Sequence, residues 1–259
     1  MTVLLVDIGN TRIKWARLDG NHLSRGRAAA HSGWGPRDYA RHLFAPARAP
    51  ERVVVASVAG PEVNRALAAA ARRADAAAHF VTVPQQGGGV TVGYVEPWRL
   101  GVDRFAAVVG AHEIFAAVPV CVVGIGTAMT IDLVGADGRH RGGVIVPAPR
   151  LMVETLLSKT HGIRRRAQGG AAGGRGIFGR STRDAIERGS RYAAAALIDR
   201  AVEEASGLLG REPLVVLTGG DAGAVRPLVQ SRCIAVPDLV LRGLAVLSRE
   251  ATRSLSRLD

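Results

Sequence analysis

Two short segments of this 259-residue chain repeat one another, and the repeat limits the folds open to it more than any other feature. Leu5 to Thr11 (LVDIGNT) and Val122 to Ala128 (VVGIGTA) each run a strand-like apolar stretch into an Ile-Gly corner, in register. The pattern around each copy repeats as well. Val3 to Asp7 reads as a buried strand and Ile13 to Leu18 as its hairpin partner across Gly9, Asn10 and Thr11. A third strand is expected near Arg25 to Ala30, then a helix over Pro36 to Phe44, a strand at Val53 to Ser57, a helix over Glu62 to Ala78, a strand at Phe80 to Val83 and a helix over Arg104 to Phe115. The order then begins again, with strands at Val120 to Val123, Thr130 to Val134 and Gly143 to Val146. Helices over Arg150 to Ser158, Thr182 to Leu208 and Gly223 to Gln230 follow, with strands at Leu214 to Leu217 and Ile234 to Val236 and a closing helix over Leu239 to Leu255. Internal duplication is the natural reading. The expected architecture is α/β: two similar domains, residues 1–119 and 120–259, each a five-stranded mixed sheet flanked by helices.

Composition supports that class. Hydrophobic residues make up 47% of the chain and aromatic residues only 4%, so the cores must be aliphatic, as in sheets covered by Ala-rich helices. A formal charge of +12 would ordinarily raise the question of nucleic acid, because basic surfaces attract polyanions by counterion release. Here the positive charge is almost all Arg, scattered along the expected helices, with Lys only at Lys14 and Lys159 and a single run at Arg164, Arg165 and Arg166. A solvated basic surface accounts for this pattern, and nucleic acid is not an expected partner. Cys121 and Cys233 lie in apolar runs without metal-ligand or paired spacing. Asp7 interrupts the first apolar stretch too early for a signal-peptide core, and no stretch is long enough to span a bilayer. A cytoplasmic protein is expected.

The glycine corners carry the chemistry. Tight turns with little side-chain bulk present backbone N–H groups to an anion, which makes them good phosphate sites. Asp7, at the end of a buried strand, stands where Mg²⁺ could bridge a carboxylate to phosphate oxygens. Asn10 and Thr11 add polar contacts, and Lys14 lies just beyond. An ordinary hairpin would also account for the first corner, but not for a carboxylate breaking an apolar strand, nor for the recurrence. Asp103 beside Arg104, at an expected helix start, can stay ionised and accept a hydroxyl proton; the same pair also reads as a helix cap next to a surface cation. Gly87 to Gly89 and Gly169 to Gly176 are either lids or plain loops. His112, His140 and His161 have no partners at metal-ligand spacing and read as packing or surface residues.

In order and spacing, these motifs resemble those of the type III pantothenate kinases: DIGNT at Asp7 to Thr11, GVDR at Gly101 to Arg104, GTA at Gly126 to Ala128 with Thr130 and Asp132, and GGVIVP at Gly142 to Pro147. Thr182 with Ala185, Ile186 and Gly189, then LTGG at Leu217 to Gly220 and the Leu241 to Leu244 stretch, extend the likeness over almost the whole chain. The resemblance implies two actin-like (ribonuclease H-like) domains facing an inter-domain cleft, and transfer of the γ-phosphoryl group of ATP to pantothenate, the first step toward coenzyme A. It makes Asp103 the catalytic base and assigns pantothenate to Tyr94, Gly101, Asp103, Arg104 and Thr182. ATP phosphates fall to Asp7, Gly9, Asn10, Thr11, Lys14, Gly126, Thr127 and Ala128, with Mg²⁺ on Asp7. It further implies a homodimer and a monovalent cation, K⁺ or NH₄⁺, near the second corner.

One departure touches that cation: the second corner usually begins with Asp and here has Gly124, which removes a hard oxygen ligand that backbone carbonyls or Asp132 would have to replace. Pro147-Ala148-Pro149 also stands where the family commonly has Pro followed by Gly, with little catalytic consequence expected. Two alternatives stay open at this stage. One is an accessory or regulatory protein that keeps the ligand pocket with little catalysis; the other is an actin-like kinase acting on a different small alcohol or carboxylate.

Overall fold

The computed structural model of the chain describes residues 2–44, 49–169 and 176–255. Its strands are β1 (Thr2–Ile8), β2 (Arg12–Asp19), β3 (His22–Leu23), β4 (Arg27–Ala30), β5 (Arg52–Ser57), β6 (Ala77–Phe80), β7 (Gln86–Gly87), β8 (Val90–Thr91), β9 (Val120–Ile125), β10 (Ala128–Val134), β11 (His140–Pro147), β12 (Leu214–Thr218) and β13 (Cys233–Ala235). Its α-helices are α1 (Pro36–Tyr39), α2 (Pro61–Arg73), α3 (Val102–Ile114), α4 (Pro149–Lys159), α5 (His161–Arg166), α6 (Thr182–Leu209), α7 (Ala222–Val225) and α8 (Leu239–Leu255).

The chain divides into two compact units. The first gathers the described residues of Met1–Ala117, Gly138–His140 and Asp238–Asp259, and the second those of Val118–Asp137 and Arg141–Pro237. A simple division after residue 119 therefore misplaces the last helix, which packs with the first unit.

In the first unit β1 pairs antiparallel with β2 and parallel with β5, giving the order β3-β2-β1-β5-β6, with β4 also on β2. The sheet has six strands rather than the expected five because the third strand is broken in two. At the break Ser24 is tied across to β2: its Oγ accepts the Arg17 N–H at 2.9 Å, in place of a backbone carbonyl, and its own N–H donates to the Arg17 carbonyl at 2.8 Å.

Side chains alternate across β1. Leu4, Val6 and Ile8 enter a core with Tyr39, Leu67 and Ala70 from α1 and α2. Val3 and Leu5 enter a second core with Ala106, Leu241, Leu244 and Ala245 from α3 and α8. Asp7 belongs to the second series, so its carboxylate sits on the face that α3 and α8 cover. These two helices cross almost backbone to backbone: a Cβ on Gly110 would come within 2.6 Å of the Leu239 carbonyl oxygen, and one on Gly243 would overlap the Ala106 carbonyl.

The second unit repeats the plan with the order β11-β10-β9-β12-β13, β9 antiparallel to β10 and parallel to β12. Val123, Ile125, Ile131 and Leu217 pack against Ala194, Ile198 and Val202 of α6. That helix starts where Ser181 Oγ accepts the Asp184 N–H at 3.1 Å and ends at Gly210, whose φ of +67° is the left-handed conformation a helix stop favours.

Further expected features differ. The helix expected to reach Ala78 ends at Arg73, and the strand expected at Phe80 to Val83 is β6 at Ala77–Phe80. The helix expected over Gly223 to Gln230 shrinks to α7 and a 3₁₀ turn at Arg226–Leu228, because Pro227 offers no N–H and Asp199 takes the amide protons of Gln230 and Ser231, at 3.1 and 3.0 Å. Gly87 to Gly89 is a hairpin turn between β7 and β8 rather than an open loop. Gly88 and Gly89 have φ of +58° and +78°, and the Gly88 N–H donates to Glu250 of α8 at 2.7 Å. The other glycine-rich stretch, Gly169 to Gly176, falls mostly outside the described residues. Arg side chains on α6 are held in helical ion pairs, Arg183 and Arg191 with Glu187 and Arg188 with Asp184.

Candidate active site

Asp7 is cross-strand from Lys14, and both stand at the end of the sheet where the β1–β2 corner lies. Desolvation pushes the Asp7 carboxyl up from 3.8 to about 7; Lys14 opposes the rise, and Asp103 and Asp238 add to it. Three carboxyl groups therefore act on one another at this end of the first unit, with one nearby ammonium against them. Asp103 reaches the place because α3 starts there, and Asp238 because α8 does. Asp238 itself holds the left-handed conformation, φ +56°, and its carbonyl accepts the Arg242 N–H at 3.0 Å, which launches α8.

The raised Asp7 has a consequence for stability. Its folded-state pKa lies above the unfolded value, so the stabilising protonation is complete below pH 3.8 and is lost as pH rises toward 7. Asp7→Asn, which cannot ionise, is expected to melt higher than wild type in ligand-free buffer at pH 8, by the equivalent of a few kcal/mol at about 1.4 kcal/mol per pKa unit. The gap should narrow at pH 5. Scanning calorimetry at the two pH values checks it, and a variant no more stable than wild type at pH 8 refutes it.

At the corner itself the Gly9 N–H donates to the Arg12 carbonyl at 3.0 Å, which leaves Asn10 and Thr11 exposed at the tip. At the start of α3, Asp103 Oδ1 accepts the Arg104 N–H at 2.9 Å. Gly101 makes this possible, since a Cβ there would lie 2.7 Å from the same oxygen. Arg104 is buried, and its Nη1 donates to the Tyr94 hydroxyl at 3.3 Å while its guanidinium lies 5.9 Å from the Tyr94 ring centre. Tyr94 in turn rests against His140, 5.6 Å between rings. The first unit thus brings Tyr94, Gly101, Asp103 and Arg104 together, and joins them to Asp7 and Lys14 through Asp103.

In the second unit Gly126 and Thr127 are exposed at the β9–β10 corner, closed by the Gly126 N–H on the Ala128 carbonyl at 3.0 Å and the Ala148 N–H on the Thr127 carbonyl at 3.2 Å. Gly219, at φ +101°, lies directly against the Ile125 carbonyl, where any side chain would overlap, so Thr218 to Gly220 braces this corner. Gly124 faces Thr130 across the hairpin, and a Cβ on it would approach Thr130 Oγ1 at 3.0 Å. Buried Asp132 follows two residues after Thr130 on the same face of β10. Thr182 opens α6.

Asp238 is not among the site residues expected from the sequence; it only precedes the expected closing helix. An acidic residue after Pro237 and before an apolar helix was the one available signal.

A profile of the type III pantothenate kinase family matches residues 3–204 of the chain. The chain belongs to the type III pantothenate kinase family. Its likeness to named members runs end to end: it is 35% identical to a type III pantothenate kinase of Nitrosococcus oceani over 262 residues, 99% of this chain and 97% of that one. It is 39% identical to one of Alkalilimnicola ehrlichii over 249 residues, 96% of this chain and 98% of the other. Among solved structures it is similar to a conserved putative Baf family transcriptional activator from Campylobacter jejuni, at a TM-score of 0.60 and 20% identity over 96% of this chain and 99% of that one. It is also similar to a ROK family glucokinase from Streptomyces griseus, at a TM-score of 0.52 and 13% identity over 96% of this chain and 100% of the other. At such identities the likeness is one of fold, and the fold is that of the actin-like kinases. Membership of the pantothenate kinase family makes the chain an alcohol-phosphorylating enzyme that uses ATP with a divalent metal.

Proposed function

We propose that the protein transfers the γ-phosphoryl group of ATP to the terminal hydroxyl of pantothenate, with Asp103 as the base. The observation that supports this reading most is the placement of Asp103. Its carboxylate is held at a helix start by the Arg104 N–H, beside the Tyr94–Arg104 pair and within electrostatic reach of Asp7. Arg104 and Tyr94 offer donors to the carboxylate and amide of pantothenate, and Gly101 keeps the approach free of side-chain bulk. Thr182, at the start of α6, is the remaining residue that the family resemblance assigns to pantothenate.

In the reaction the pantothenate oxygen attacks the γ-phosphorus as its proton passes to Asp103, and the bond to the β–γ bridging oxygen breaks to release ADP. Gly9, Asn10, Thr11 and Lys14 hold phosphate at the first corner, and Gly126, Thr127 and Ala128 at the second. Asp7 suits a divalent metal, since its burial and the neighbouring Asp103 and Asp238 disfavour the ionised carboxylate, a cost that a dication relieves. Mg²⁺ bound there would neutralise phosphate charge that builds up during transfer.

For the monovalent cation, Asp132 is the candidate replacement for the acidic residue missing at Gly124, because it lies on the same face as Thr130, Gly124's cross-strand partner. We read the protein as cytoplasmic, in keeping with a metabolic kinase; among the described residues no helix is long and apolar enough to cross a membrane.

We also propose a homodimer. β11 is an edge strand, and it exposes Val144 and Ile145, the latter 60% accessible. Beside it runs a groove lined by Pro147, Met152, Leu156 and Ile186, with Ile177 and Phe178 exposed nearby in sequence. An uncovered apolar edge invites pairing, and a second copy of the chain supplies the matching surface. Sedimentation should give twice the chain mass for wild type and a shift toward monomer for Ile145→Arg; a monomeric wild type rules the dimer out.

The decisive experiment is ATP consumption coupled to mass detection of 4′-phosphopantothenate, with and without K⁺ or NH₄⁺. Stabilisation by pantothenate without product would instead favour an accessory role.

A further inference from the structure

The first corner is held from beneath by a side chain that the reaction scheme does not use. His31 directly follows β4, whose Ala30 pairs with Arg12 at the start of β2, so the ring lies under the Gly9 turn. It is 4% exposed. Its Nε2 is 2.8 Å from the Gly9 carbonyl oxygen and its Nδ1 is 3.1 Å from the Tyr39 hydroxyl. A carbonyl can only accept, so Nε2 carries the proton, and in the neutral ring Nδ1 then accepts the Tyr39 O–H. Trp34 packs edge-on against Tyr39 at 5.3 Å and stacks on His42 at 4.4 Å, which holds the phenol in place against Nδ1 and with it the orientation of the ring.

A trans peptide points its C=O and the following N–H in opposite directions. Holding the Gly9 oxygen down toward His31 therefore aims the Asn10 N–H outward, on the exposed side of the corner. We propose that His31 is a positioning residue for nucleotide phosphate, acting through the Gly9–Asn10 peptide, with Tyr39 orienting its ring. The inference rests on reading the Gly9 to Thr11 corner as a phosphate holder.

The test is calorimetric titration with Mg²⁺ and a non-hydrolysable ATP analogue, alongside steady-state kinetics. Loss of one orienting hydrogen bond is expected to weaken analogue binding and raise the KM for ATP about tenfold in His31→Ala, leaving the KM for pantothenate unchanged. His31→Gln, whose amide N–H can reach the same carbonyl, should recover most of that loss. Tyr39→Phe, which keeps the ring packing, should lose about threefold by freeing the imidazole to turn away from the Gly9 carbonyl. Wild-type nucleotide affinity in His31→Ala overturns the inference, as does equal weakening of both substrates without rescue by Gln. If His31→Ala does not fold, wild-type affinity in Tyr39→Phe overturns it. A wild-type protein that binds no analogue fails the phosphate reading itself and takes the inference with it.

Discussion

Asp103→Asn is expected to lower kcat for 4′-phosphopantothenate formation by about 10²- to 10⁴-fold, the usual contribution of a positioned general base, with the melting temperature nearly unchanged. The amide keeps the shape of the carboxyl, and its oxygen can still accept the Arg104 N–H that Asp103 accepts at 2.9 Å. Electrostatics also argue against a folding defect. Asp103 raises the pKa of Asp7, so removing its charge relieves a repulsion inside the first unit. The Tyr94–Arg104 pair is untouched, so pantothenate affinity should hold within a few-fold. Loss of turnover with intact binding and melting then isolates proton transfer. A variant that kept near-normal kcat would remove Asp103 from the chemistry.

The second large effect is on stability. Gly243→Ala is expected to cost the protein about 4 kcal/mol or more, at the extreme of single substitutions, because the new methyl meets backbone rather than a movable side chain. At Gly243 that backbone is the Ala106 carbonyl, and on the facing helix Gly110 already lies against the Leu239 carbonyl and the Gly243 amide. The only relief is separation of α3 from α8, which also carries Asp103 and Asp238 away from Asp7. Activity should therefore fall with stability. Gly207→Ala is the matched control: it lies exposed on α6 with nothing within 4 Å of its new carbon, and should gain about 0.5–1 kcal/mol from helix propensity and reduced unfolded-state entropy. Urea unfolding of the two variants should move in opposite directions. Equal midpoints for Gly243→Ala and wild type would mean that the helices do not cross as described.

What could be read from the chain before its structure depended on how locally each feature is encoded. The β1–β2 and β9–β10 hairpins were legible because β-branched runs and glycine corners write them within a dozen residues. The start of α3 was legible too, since Gly101, Asp103 and Arg104 are adjacent. The partner of α3 was not. Nothing near Leu239 says that it returns to the first sheet, and the glycines that permit the contact, Gly110 and Gly243, look like weak points in separate helices until the close approach is seen. Asp238 escaped notice for the same reason, being brought to Asp7 by a packing event far along the chain. His31 reads as an isolated polar residue after a short strand; only the pairing of β4 with β2 places it under Gly9. Gly87 to Gly89 misled in the opposite sense, because glycines with positive φ serve a tight turn as well as an open loop.

The return of α8 also bears on how the protein is made. Val3, Leu5 and Ala16 have their apolar cover in Leu241, Leu244 and Ala245, which leave the ribosome after the whole of the second unit. During synthesis one face of the opening sheet stays wet and adhesive while the whole of the second unit is translated. Nascent chains stalled before residue 238 would be natural clients for holding chaperones, and truncated forms would be prone to aggregate rather than to persist as a free-standing amino-terminal half.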